Sequence, residues 1–328
     1  MNSLYPLKCK PIFKDKIWGG QKIKTNLNMD FGDLPNCGEV WVISGVKGNE
    51  SVVKNGFLKE NELNELVEVY MSDLVGEKVF DKFGNEFPLL IKFIDANDWL
   101  SVQVHPDDAL ATKRRIGQGK TEMWFTLEAD ESTQLISGFN RKMDKETYLK
   151  HLDNNTLKEI LNYEDVKKGD VFYIPAGRVH ALGPGMLLTE IQQTSDTTYR
   201  IYDWDRLDEQ GITRKLHTQE ALDAIDFEKH DSYRTHYSSE INQTNEIVSC
   251  DKFTINLVYF DRAIHKDLIT LDSFIIYIGV EGSTILIWDE GEIKIDVGES
   301  VIVPALISQI ELVPKTTSKL LEVFCNVN

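Results

Sequence analysis

The chain has 328 residues, 41% hydrophobic and 27% charged, with a formal net charge of −17 at neutral pH. That size and balance fit one large core or two domains and exclude a disordered chain. The acidity argues against nucleic acid or an anionic membrane as a partner held by the global field, and no apolar run has the length of a helical span.

The first ten residues carry no apolar stretch of the signal-peptide kind, so a cytoplasmic location is expected. Strand signals then dominate. Residues 39–44 alternate apolar and polar, and 51–53 lead into an Asn55-Gly56 turn. Over residues 60–75 the apolar positions Leu63, Leu66, Val67 and Tyr70 fall at helical spacing. Residues 88–95 form a nearly continuous apolar run, interrupted by Lys92, whose burial is costly unless it is paired or functional. Residues 106–118 read as a polar connection with a short helical stretch. Residues 143–166 read as two short helices inserted between strands, with Asp144 as N-cap and Leu149, Leu152, Leu157, Ile160 and Leu161 as the buried face. The polar stretch 228–247 is the expected linker, and short strands follow it to the carboxyl end. The expected division is therefore 1–240 and 241–328. Cys9, Cys37, Cys250 and Cys325 are scattered and form no C-x-x-C pair, so free thiols are expected rather than disulfides or a thiolate metal site.

Gly169-Asp-Val-Phe-Tyr-Ile-Pro-Ala176 is echoed by Gly298-Glu-Ser-Val-Ile-Val-Pro-Ala305. Five residues beyond the proline stands His180 in the first copy and Gln309 in the second. A mainly β fold of cupin-type double-stranded jelly rolls is expected, with one copy lacking the histidine.

Three segments carry metal-ligand side chains. Gln103 and His105 are two apart, so on a strand they face one side. Glu122 lies on a second apolar strand, and His180 follows a Pro-Ala-Gly turn. Alone, each histidine reads as structural; together, two imidazoles, a carboxylate and an amide oxygen suit one zinc or similar divalent ion with a position left for water or substrate. Lys120, two residues before Glu122, shares its face and suits holding a substrate oxygen or moving a proton; an ordinary surface Lys–Glu pair is disfavoured by the apolar Met123-Trp124-Phe125 beside it. Glu190 and Arg200 sit between apolar residues, where an arginine can hold a carboxylate, a phosphate or an enediolate. Lys92, Lys113, Arg114, Arg115, Lys120, Arg178, Arg200 and Arg206 all lie in or near these segments, either to hold an anionic ligand or to balance neighbouring carboxylates.

Phe13-Lys-Asp-Lys-Ile-Trp-Gly-Gly20, Gly38-Glu-Val-Trp41, Phe87-Pro-Leu-Leu-Ile-Lys-Phe-Ile-Asp95, Leu100-Ser-Val-Gln-Val-His-Pro-Asp-Asp108, Gly119-Lys-Thr-Glu-Met-Trp124, Ile174-Pro-Ala-Gly-Arg-Val-His-Ala-Leu182 and Ser195-Asp-Thr-Thr-Tyr-Arg-Ile-Tyr-Asp203 resemble the class I mannose-6-phosphate isomerases, in particular the short bacterial form. The resemblance runs from the amino end to about residue 225 and weakens beyond. It implies Gln103, His105, Glu122 and His180 as zinc ligands, and Lys92, Lys120, Glu190 and Arg200 around a sugar phosphate, with Trp18 near the pocket. The large helical domain of longer members is reduced here to the insertion at 143–166, so lid and phosphate contacts made there do not transfer. The implied reaction moves a proton between C1 and C2 through a cis-enediol. Zinc would polarise the sugar oxygens, Arg200 and Lys120 would stabilise the enediolate, and Glu190 would shuttle the proton. Rival readings are an isomerase of a related sugar, an iron-dependent cupin oxygenase, and a sugar-sensing cupin without catalysis. A monomer or a homodimer fits equally.

Overall fold

A computed structural model describes residues 3–207 and 210–327. Its first half contributes eleven strands: β1 (Ile12–Lys14), β2 (Glu39–Ser44), β3 (Leu89–Ala96), β4 (Val102–Val104), β5 (Glu122–Ala129), β6 (Gln134–Phe139), β7 (Leu161–Asp165), β8 (Val171–Ile174), β9 (His180–Leu182), β10 (Met186–Gln193) and β11 (Tyr199–Tyr202). They form two facing sheets, ordered β1-β2-β3-β10-β5-β8 and β11-β4-β9-β6-β7. Nine more follow: β12 (Gln243–Ser249), β13 (Thr254–Phe260), β14 (Ile264–Asp267), β15 (Ile275–Glu281), β16 (Ser283–Trp288), β17 (Gly291–Asp296), β18 (Ser300–Val303), β19 (Gln309–Pro314) and β20 (Ser318–Phe324). Their sheets run β12-β13-β20-β15-β18 and β14-β19-β16-β17. All the pairings are antiparallel, as in jelly rolls. Among the described residues no helix is long and apolar enough to cross a membrane.

The two sandwiches stand back to back. Leu89, Ile91 and Phe93 of β3 and Leu187 and Ile191 of β10 share one core with Ile255 and Leu257 of β13 and Leu321 and Val323 of β20. The other face of β3 and β10 lines the interior of the first sandwich. Strands covered on both faces have no polar side to show, which explains the nearly continuous apolar run of β3.

The strand orders also superpose the halves position by position. Glu190 on β10 stands between Lys92 on β3 and Trp124 on β5, and Trp124 is paired with Phe172. Glu322 on β20 stands between Asn256 on β13 and Tyr277 on β15, and Tyr277 is paired with Val301. Phe172 and Val301 are the same position of the Gly-acid…Pro-Ala repeat, so the two registers agree. By the same alignment Ile275 replaces Glu122.

The structure amends three sequence expectations. The helix over 60–75 forms as Leu63–Tyr70 and Ser72–Val75, interrupted at Met71, whose φ is 47°. The insertion holds one helix, Lys145–Asp153, capped by the Asp144 side chain; its expected second helix is a 3-10 turn, Leu157–Glu159, followed by β7. Leu161 is buried while Tyr163 is exposed, and pairing to β6 outweighs the helical spacing of Leu157, Ile160 and Leu161. The expected linker is also not free: Thr235 bridges Val171, the Tyr237 hydroxyl donates to the Gly169 carbonyl at 2.7 Å, and residues from Gln243 onward are strand.

Candidate active site

The site is built from two rows of side chains on facing sheets. In the smaller sheet, Arg200, Gln103, His180 and Ser137 are register neighbours across β11, β4, β9 and β6. In the larger sheet, Trp41, Lys92, Glu190 and Trp124 are neighbours across β2, β3, β10 and β5. In-register residues of antiparallel strands project to the same side. This places residues from distant parts of the chain around one interior.

His105, Glu122 and His180 converge there, each no more than 1% exposed. Glu122 Oε1 lies 3.0 Å from His105 Nε2 and 3.4 Å from His180 Nε2. The other ring nitrogens are engaged outward: His105 Nδ1 is 2.9 Å from the Thr197 carbonyl and His180 Nδ1 is 2.8 Å from the Arg178 carbonyl. A carbonyl only accepts, so both rings carry their proton on Nδ1 and aim the Nε2 lone pair inward. Burial pushes both imidazoles below their usual pKa, His105 well below, with Lys120 adding to the effect. For Glu122 burial acts upward, but the charge of Lys120 and its other neighbours outweighs it and keeps the carboxylate ionised. The two Nε2 atoms and both Glu122 oxygens are buried without hydrogen-bond partners. Three lone-pair donors within 4.8 Å of one another repel unless a cation lies between them. The residues His105, Glu122 and His180 therefore fit a divalent metal ion, and Gln103 is the register neighbour of His180.

Beside these residues opens a cavity of ≈ 390 Å³. Gln103, the register neighbour of His180, and Lys120, the neighbour of Glu122, form part of its wall. Lys92, Glu190, Arg200 and Trp18 also line it, so all four sequence-chosen catalytic candidates meet in one chamber. Lys92 Nζ donates to Glu190 Oε1 at 2.8 Å and to Gln192 Oε1 at 2.7 Å. Trp124 Nε1 donates to the other Glu190 oxygen at 2.9 Å. Although burial opposes the charge on Lys92, Glu190 and Glu39 raise its pKa above the ordinary value, so it is an ammonium. Lys120 Nζ is 3.7 Å from Glu122 Oε2. Arg200 is half-buried, with Nη1 on the Lys215 carbonyl at 2.9 Å and Nε buried without a hydrogen-bond partner.

The chamber also holds residues that the sequence did not single out. Lys14, Lys16, Glu39, Trp41 and Arg214 all line it. Glu39 accepts from Trp41 Nε1 at 2.8 Å and lies 3.4 Å from Lys16 Nζ. Glu39 and Trp41 stand two apart on a strand in the conspicuous Gly38-Glu-Val-Trp41, which was the available signal. Asp203 is shared by Arg206, at 2.7 Å, and Arg214, and Arg206 also reaches Asp98 at 3.5 Å. Lys113, Arg114 and Arg115 are turned elsewhere: Arg114 pairs with Asp223 at 2.8 Å, and none of the three lines the chamber.

A double-stranded jelly roll with two histidines and a glutamate converging inside one of its sandwiches defines a cupin-type metal-dependent enzyme. Residues 4–132 match the family model of the phosphomannose isomerase type I catalytic domain. The chain is 42% identical over 227 residues to a mannose-6-phosphate isomerase of Streptococcus mutans, covering 67% of each chain. It is 38% identical over 256 residues to the mannose-6-phosphate isomerase ManA of Bacillus subtilis, covering 76% of this chain and 78% of that one. The crystal structure of a mannose 6-phosphate isomerase from Bacillus subtilis superposes with a TM-score of 0.86 at 31% identity, covering 97% of this chain and 99% of the other. The chain belongs to the type I phosphomannose isomerase family.

Proposed function

We propose that this protein interconverts mannose 6-phosphate and fructose 6-phosphate, with Gln103, His105, Glu122 and His180 holding one zinc ion. Zinc is favoured because nitrogen and oxygen donors are mixed and the reaction needs no redox change. A zinc ion bound there supplies Lewis acidity toward the sugar oxygens.

The chain's own groups supply the rest. Glu190 takes the proton from C2 of the open-chain aldose and returns it to C1, while the hydroxyl proton on O2 passes to O1 by way of the solvent or a nearby side chain. Lys92 and Trp124 fix the Glu190 carboxylate from two sides, so it meets the substrate without reorganising. Lys120 and Arg200 are fixed cations lining the same chamber, where charge on the enediolate oxygens is stabilised. The substrate's dianionic phosphate accords with a cation-rich chamber inside a chain of net charge −17.

One observation carries the reading: inward lone pairs of His105, Glu122 and His180, without partners, stand against a chamber walled by Lys92, Lys120, Glu190 and Arg200. The test follows fructose 6-phosphate formed from mannose 6-phosphate before chelation, after it, and after zinc is restored. Turnover abolished by chelator and recovered with zinc supports the reading. Zinc-loaded protein that binds the metal but leaves mannose 6-phosphate unchanged overturns it.

A further inference from the structure

Asp108, three residues beyond His105, begins a short helix, Asp108–Arg114. Its side chain gathers three contacts from three different parts of the molecule. Asp108 Oδ1 accepts from the Gly119 N–H at 2.7 Å and from Gln193 Nε2 at 2.9 Å. Asp108 Oδ2 pairs with Lys252 Nζ at 2.7 Å. Lys252 comes from the turn between β12 and β13, and so belongs to the second sandwich.

These contacts hold the approach to β5. The Lys120 N–H donates to the Pro106 carbonyl at 3.0 Å, and the Thr121 N–H donates to Gln193 Oε1 at 3.0 Å. Gly119 lies so close that an added Cβ would stand 2.6 Å from the Asp108 nitrogen, which fixes glycine there by contact. Residues 119–121 are thus bound to 106–108 on one side and to the end of β10 on the other. Lys120 lies within this clamp and Glu122 follows it directly, while His105 precedes one clamping segment and Glu190 lies on the strand that ends in the other. The Lys252–Asp108 pair is not needed to dock the sandwiches, because the shared apolar core already does so.

We propose that Asp108 is a positioning residue for the Lys120–Glu122 pair, and that Lys252 fixes Asp108, so the second sandwich sets the geometry of the first one's reaction site. This rests on the function proposed above for its kinetic arm only; its metal-binding arm is independent of the substrate.

The test compares the full-length protein with Lys252→Met, Lys252→Arg and Asp108→Asn. Zinc affinity is read by competition with a chromophoric chelator, and kcat and KM are read with mannose 6-phosphate. Partners outside the ligand set change metal affinity or activity by about 10- to 100-fold. Lys252→Met and Asp108→Asn are expected to weaken zinc binding about 10-fold and to lower kcat with KM little changed, and Lys252→Arg is expected to restore both. Zinc affinity unchanged in both Lys252→Met and Asp108→Asn overturns the proposal, whether or not the parent protein turns over that sugar phosphate. So does a loss of affinity that Lys252→Arg fails to restore.

Discussion

Lys92 Nζ lies 2.8 Å from Glu190 Oε1 across two neighbouring strands, and both side chains are about 6% exposed. Among the described residues it is the only ion pair that joins a β3 side chain to a β10 side chain, and Lys92 Nζ also donates to Gln192 of β10 at 2.7 Å. Taking one charge from such a pair leaves the other desolvated, a loss of about 3–5 kcal/mol. Lys92→Met is therefore expected to destabilise the fold by about that amount in denaturant titrations, and the double variant with Glu190→Gln to recover a large part of it. A double variant no more stable than Lys92→Met alone would contradict this account.

Glu190→Gln is also the direct test of the proton shuttle. Loss of a general base lowers turnover by about 10²–10⁴-fold. We expect kcat to fall by about 10²–10⁴-fold with metal content unchanged, measured by elemental analysis on the same preparation. A variant turning over at the parent rate removes Glu190 from the mechanism.

His105→Ala and His180→Ala each withdraw one of the inward lone pairs. Both are expected to lose metal and turnover together, with each variant's residual rate tracking its residual metal. Full metal content with full turnover in either variant would refute the assignment of the ligands.

Arg200→Ala should separate the two functions. Its guanidinium lines the chamber from β11 and is held by the Lys215 carbonyl rather than by a metal-ligand candidate. Metal content should remain at the parent level, while kcat/KM falls by about 10²–10³-fold, the effect of removing one donor to developing negative charge. An unchanged kcat/KM would place Arg200 outside the reaction.

Stability should also depend on pH through Asp95. This side chain accepts from the Lys22 N–H at 2.6 Å and is 1% exposed. Burial raises its pKa to about 6. Because the folded value lies above the ordinary one, its contribution is complete below the ordinary carboxylate pKa and is lost as pH rises through about 6. Asp95→Asn keeps an acceptor for Lys22 and does not ionise. Its stability relative to the parent should rise by about 1–3 kcal/mol between pH 4 and pH 7, measured by denaturant titration. A pH-independent difference would contradict the shift.

Much of the site was legible because its side chains sit in short motifs with defined periodicity. Gln103 and His105, or Lys120 and Glu122, share a face by spacing alone, and Lys92 stood out as a charge in an apolar run. Glu39 and Trp41 were visible only as a motif without a role, and Arg214 not at all, because only the β2–β3 register and the course of the chain after β11 bring them beside Lys92 and Arg200. The second helix of the insertion was misread for a related reason. Leu157, Ile160 and Leu161 fit a helical face, but β6 offers an edge for Leu161–Asp165 to pair with, and no local pattern announces a partner so far away in sequence.

The second sandwich keeps the outline of the first while changing its contents. Glu322 still receives an aromatic donor, the Tyr277 hydroxyl at 2.7 Å, and a lysine, Lys266 at 2.7 Å, although this lysine arrives from the opposite sheet. Where Glu122 stands in one copy, Ile275 fills the other, buried and apolar. One polypeptide thus carries its own control experiment: the same strand order closed with an isoleucine in place of the ligand glutamate. This strand order thus closes without a ligand set, and a cell short of the metal would be expected to accumulate assembled, inactive protein that regains activity on supply of the ion rather than by new synthesis.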